Sequence, residues 1–268
     1  MNRPRASATP SEPILPLILR RDRLPVVVGL VGVSALAWLY LVWMAHHMAG
    51  MTGMAQMAMP MIEPWSAADW LAMLLMWAIM MVGMMLPSAA PMILLYDRVR
   101  ERQEARGASL AATGTFALGY LVAWTLFSVG ATTAQWALEQ AALLSPMMVS
   151  ASPWLGGGLL IAAALYQWTP LKHACLVHCR SPITFLAHHW RPGNPGALRM
   201  GLHHGLYCIG CCWVLMALLF VGGVMNLLWI ALLALFVLLE KVLPQGELFS
   251  RVSALLLAGA GVLMIVAG

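Results

Sequence analysis

The chain has 268 residues, of which 62% are hydrophobic and 9% charged, and it carries a net charge of +5. A soluble globular domain holds roughly 25% charged residues, so the composition excludes an ordinary water-soluble domain and points to an all-α, polytopic membrane helical bundle. The positive balance follows from the sidedness of basic residues in membrane proteins and calls for no nucleic-acid partner.

A bilayer core takes about 20 apolar residues per helical span. Seven runs are expected to cross it: 24–45, 70–96, 109–134, 154–168, 203–222, 226–243 and 250–268, the fourth being short. Residues 1–23 form a tail with Arg3, Arg5, Arg20, Arg21 and Arg23. The run that follows is longer than the 7 to 15 apolar residues of a secretory signal. It ends in LYLVWMAHHM, with no small-residue cleavage site, and is expected to remain as a span.

The remaining basic residues cluster in alternate connections. Arg98, Arg100, Arg102 and Arg106 lie in the second, Lys172, Arg180, Arg191 and Arg199 in the fourth, and Lys241 and Arg251 in the sixth. Seven spans with a cytoplasmic N-terminus place all 15 Lys and Arg inside and the C-terminus outside. The expected organisation is a cytoplasmic tail, 1–23, and one transmembrane domain, 24–268.

The first outer connection, 46–67, is rich in Met and His. The stretch MAHHMAGMTGMAQMAMPM (44–61) supplies His46, His47, Met48, Met51 and Met54 as candidate ligands, with Met57, Met59 and Met61 beyond. Thioethers are soft ligands that select Cu(I), and imidazole also suits copper. In the second span, Met73, Met76, Met80 and Met84 fall within about 80° on a helical wheel, and Met81 and Met85 widen that face. From Met73 to Met85 such a helix rises about 18 Å, enough for a thioether column through much of the hydrocarbon. Methionine also fills gaps in packed interiors, so packing is the alternative for this face. Pro87 and Pro91 are expected to break the inner half of that helix.

The inner connection, 169–202, carries Thr169-Pro170 and Ser181-Pro182, each an N-cap followed by Pro at the first helical position. They predict short helices over 170–180 and 182–190, with His188 and His189 at the interface. Gly201 and Gly205, four apart, suit close helix packing in lipid.

All five cysteines lie between 175 and 212. In KHACLVHCR, Cys175 and Cys179 share a helix face with His178 to one side. In HHGLYCIGCCW, His204, Cys208, Cys211 and Cys212 fall within about 100° of arc. A reducing cytoplasm argues against a structural disulfide. Reduced thiols with imidazole favour Cu(I), zinc or an iron–sulfur centre over Mg(II) or Ca(II); buried thiols can also serve as small hydrophobes.

Four motifs, WAIMMVGMMLPSAAPM (77–92), YQWTPLKHACLVHCRSP (166–182), GLYCIGCCWVLM (205–216) and GGVMNLLWIALLALFVLLEK (222–241), resemble a bacterial family of predicted metal-binding integral membrane proteins. This is domain of unknown function family 2182, sometimes labelled a copper chaperone. The resemblance covers roughly 65–245 and implies a multi-pass inner-membrane protein with metal-binding capacity. It carries over the five cysteines, with Tyr166, Gln167, Lys172, Glu240 and Lys241 as motif positions of unassigned role. Glu240, beside Lys241 near the inner end of the sixth span, is expected to snorkel and pair with a basic neighbour.

The leading expectation is Cu(I) handling across a bacterial inner membrane, from an outer Met/His site to an inner Cys/His site. The expected partners are the lipid bilayer, the metal ion and a periplasmic or membrane metalloprotein. No G-x-x-x-x-G-K-[ST] loop is present to bind ATP. A membrane thiol-disulfide oxidoreductase and a structural subunit with a static zinc site are the alternatives.

Overall fold

The computed structural model describes residues 24–55, 65–103, 110–145, 148–243 and 245–268. For 48–55, 102, 103, 110–112 and 247 it describes the backbone alone. The described residues are helical apart from short turns and one isolated bridge between Leu144 and Ser150.

The helices are α1 (Leu24–Ala55), α2 (Ala67–Gln103), α3 (Leu110–Gln140), α4 (Pro153–Gln167), α5 (Pro170–Arg180), α6 (Pro182–His189), α7 (Gly193–Ala217), α8 (Leu219–Gly222), α9 (Leu227–Val242) and α10 (Gly246–Ala267). Among the described residues, five stretches are long and apolar enough to cross a membrane: Leu24–His47, Ala67–Glu101, Thr113–Gln140, Gly193–Gly222 and Leu248–Ala267. The fourth and sixth apolar runs form α4 and α9, of 15 and 16 residues, shorter than the usual spanning length.

α1 continues as helix to Ala55, so the Met/His stretch begins on a helix rather than in a loop. Pro87 and Pro91 do not break α2, which runs through both. A helical proline leaves the carbonyl four residues earlier without its donor. For Pro87 that carbonyl belongs to Gly83, and the Trp38 indole N–H of α1 supplies the missing bond at 3.2 Å. The proline thus becomes a docking point for the neighbouring helix.

The predicted inner helices both form, as α5 and α6. Thr169 caps α5 by accepting from the Lys172 N–H at 3.3 Å, whereas Ser181 makes no side-chain cap.

α3 and α7 cross closely because both lack side chains at the crossing. A Cβ on Gly201 would strike the Phe116 carbonyl, and one on Gly119 the Leu198 carbonyl. Gly205 approaches Ala123 in the same way. Without a hydrophobic drive between helices in lipid, such close backbone approach supplies the packing contact. α4 and α10 repeat the device, Gly157 lying against Gly261. The α3–α7 contact matters for the site, since it sets Tyr120 of α3 against Cys208 of α7.

Candidate metal centre

The arc read from HHGLYCIGCCW turns inward: His204, Cys208, Cys211 and Cys212 are all buried, while Leu206 and Trp213 on the far side are exposed. A helix places residues four apart on one face, and here that face meets α3, α5 and α9.

From α9, Lys241 directs its Nζ to within 2.9 Å of Cys208 Sγ and donates to Ser88 Oγ at the same distance. From α3, the Tyr120 hydroxyl lies 3.1 Å from Cys208 Sγ and 3.1 Å from the Met85 carbonyl. The thiols of Cys211 and Cys212 each donate to the Cys208 carbonyl at 3.0 Å. From α5, the Cys179 thiol lies beside the side chains of Cys208 and Cys211 and interacts with both. Cys179, Cys208, Cys211 and Cys212 therefore gather at one place.

Cys175, one turn earlier on α5, stands on the rim of the group. Its sulfur abuts Gly210, where a Cβ would come within 2.6 Å, and it feels the Cys211 side chain. Burial, and then Cys211, push the Cys175 thiol above its ordinary pKa. The interactions with Cys208 and Cys211, and then burial, raise Cys179 well above it. Both are protonated at neutral pH.

The candidate histidines divide. His204 is buried, packed by the rings of Tyr120 (5.8 Å between centroids) and Phe185 (5.5 Å), and its Nδ1 has no hydrogen-bond partner. His178 stacks on Tyr207 instead, 4.3 Å between centroids and 7° from parallel, with Nδ1 2.8 Å from the Ala174 carbonyl. His46 and His47 are exposed on α1, His47 resting against Trp43. The side chains of Met48, Met51 and Met54 lie outside the described residues.

Met76, Met80 and Met84 are buried to 1% exposure or less, as are Met81 and Met85. Their column descends α2 to the Met85 carbonyl, which the Tyr120 hydroxyl ties to the thiols. Its Met85 end is thus next to the cysteines.

Among the described residues, no three His, Cys, Asp or Glu side chains stand ready as a metal-binding shell. The reason is visible at Cys211 and Cys212, whose thiols are turned onto a backbone carbonyl. The donor set is nevertheless soft, and thiolates of this kind suit Cu(I) or zinc.

Glu240 departs from the sequence expectation. It is fully buried rather than snorkelling, 2.6 Å from Lys172 Nζ, and held also by Ser250. Gln167 accepts from the same Lys172. This cluster borders a cavity of about 520 Å³ lined by Thr169, Lys172, His173, Ser250 and Arg251. It ties α5, the helix bearing Cys175 and Cys179, to α4, α9 and α10.

Sequence reasoning gave Lys241 a motif position without a role and missed Ser88 and Tyr120. A lysine within a long apolar run is itself a functional signal, and could have marked the thiol group; Tyr120 carried no such signal. Comparison with curated proteins and with solved structures finds no match. The chain belongs to the PpoB2 family, described as a copper chaperone, whose model matches residues 74–264 and so takes in the buried methionine column, all five cysteines and Lys241.

Proposed function

We propose that the protein handles Cu(I) in a bacterial inner membrane, receiving the ion along the α2 thioethers and holding it at the thiols of α5 and α7. The observation that carries this reading is the gathering of Cys179, Cys208, Cys211 and Cys212 at the foot of the buried methionine column.

Copper here is cargo, and the chain's own groups determine how it is accepted. Thioethers are neutral, weak and soft ligands, whereas thiolates are anionic and stronger, so transfer from column to thiols runs downhill. Two thiolates on one Cu(I) leave a net negative charge in a low-dielectric interior, which is costly unless paired. Lys241, already beside Cys208, supplies the opposite charge. Binding displaces the protons of ligating thiols, Cys179 among them, and requires the Cys211 and Cys212 thiols to leave the Cys208 carbonyl.

The path of the chain supports seven traversals. α4 begins next to Ser150, which bonds to the Phe220 carbonyl, and ends at Gln167 beside Lys172. α9 begins at Asn226, close to Gly222, and ends at Lys241 beside Cys208. Both short helices therefore run between the ends of the bundle, and seven crossings put every Lys and Arg on the cytoplasmic side. The burial of Cys208, Cys211 and Cys212 favours ion transfer over thiol exchange, which needs an accessible thiolate.

The test is anaerobic titration of detergent-solubilised protein with Cu(I) against a competing chromophoric chelator. Serine at positions 175, 179, 208, 211 and 212 together is expected to remove the tightest site. Undiminished tight binding in that variant would refute the thiol site.

A further inference from the structure

Twelve residues above Met85, at the other end of the column, a second group of soft donors comes together around Gln135 of α3. Its side chain is fully buried, and its Oε1 accepts from the Trp77 indole at 2.7 Å. Its Nε2 then faces three acceptors: Met148 Sδ at 3.4 Å, Met73 Sδ at 3.6 Å and Glu139 Oε1 at 2.9 Å. An amide nitrogen has two hydrogens, too few to serve three acceptors with good geometry. Glu139 is fixed from its other oxygen by the Trp65 indole at 3.1 Å.

Met148 comes from the turn between α3 and α4 and is held at φ 55°, a left-handed conformation unusual for a residue with a side chain. Backbone strain of this kind persists where surrounding structure enforces it and is concentrated at functional sites. Here the strained residue presents a buried thioether to the same point as Met73, 75 positions away in the chain.

We infer that Met73, Met148 and Glu139 form a second metal site, at the mouth of the thioether column, which accepts a soft monovalent cation in the place now taken by the Gln135 amide. Two thioethers give softness without the redox reactivity of thiols, which suits an oxidising compartment. The single carboxylate neutralises the one charge of the ion as it leaves water. Met76, one turn below Met73 and fully buried, is the next thioether inward. The inference rests on the copper reading above and deepens it by naming where the ion is first taken up.

Ag(I), a redox-inert soft monovalent ion, is the probe. Silver retained per chain is counted after gel filtration, and the thiolate-to-metal absorption band reports the inner cysteines separately. Met73→Leu with Met148→Leu, nearly volume-conserving changes, is expected to remove one silver ion per chain and leave the thiolate band unchanged. An equal silver count, or a loss confined to the thiolate band, overturns the site. Glu139→Gln keeps the packing and is expected to weaken this silver ion by about tenfold, a loss of about 1.4 kcal/mol; unchanged affinity also overturns it. If the native thiols take up no Cu(I), the copper reading fails, while the silver count still decides the Met73/Met148 site.

Discussion

Lys241 places its Nζ 2.9 Å from Cys208 Sγ, pairing a cation with a thiol within the bundle. The preceding residue, Glu240, is committed elsewhere, to Lys172. Successive helical positions are about 100° apart, so α9 serves two polar groups with adjacent residues, one at the thiols and one at the α4–α5–α10 junction.

Replacing Lys241 with Met is expected to weaken Cu(I) binding by about 10- to 100-fold, since hydrogen bonds to charged groups contribute about 1.5–3 kcal/mol. Lys241→Arg restores part of the loss by keeping the charge. Competition titrations of the three proteins check this, and equal affinity of Lys241→Met and the native chain would remove Lys241 from the site.

The raised pKa values of Cys175 and Cys179 give metal-free and metal-bound protein opposite responses to pH. The fold holds these protons more tightly than the unfolded chain does. Their contribution to metal-free stability is complete below the ordinary thiol value of about 8.5 and is lost as pH rises through the raised values. Metal must displace the proton of each of the two that ligates, so affinity is expected to rise by about tenfold per pH unit for each proton released. Melting of the metal-free protein across pH 7 to 11 and Cu(I) titration across pH 6 to 9 check the two directions; a pH-independent affinity would show that neither thiol is a ligand.

Breaking the buried Lys172–Glu240 pair at one end strands the other charge. Lys172→Met is expected to destabilise the protein by about 3–5 kcal/mol, and Lys172→Met with Glu240→Leu by much less. Because Lys172 anchors α5, the single variant should also weaken Cu(I) binding although no thiol is changed. Thermal unfolding in detergent, with titration of the folded fraction, measures both.

Gly201→Ala drives a Cβ into the Phe116 carbonyl and is expected to cost about 3 kcal/mol, at the upper end of overpacking. It separates α3 from α7 and hence Tyr120 from Cys208. Gly158, with nothing within 4 Å of an added Cβ, is the control: Gly158→Ala should gain about 0.5–1 kcal/mol in helix stability. Equal melting temperatures for the two would mean that the α3–α7 crossing is looser than the backbone approach implies.

The helices of the inner connection were readable because Thr169-Pro170 and Ser181-Pro182 act locally. The inward arc of α7 was readable because helical period is a local property. Pro87 was misread because its effect depends on a partner 49 positions earlier, Trp38, whose indole bonds the carbonyl that the proline leaves free. The surroundings of His178 were out of reach for a related reason: a wheel gives its angle beside Cys179, but not the Tyr207 ring on which it stacks.

What the sequence determined by itself is therefore what depends on neighbours a few residues away: apolar runs, the sulfur-bearing faces and the connections in which basic residues collect. Tertiary structure alone decided that Lys241 meets Cys208, that Glu240 is buried against Lys172, and that Met148 joins Met73 at Gln135. Those groups bring together residues 33 to 75 positions apart in the chain, which only the packing of separate helices can do. Helical periodicity says which way a side chain faces; only packing says what it meets.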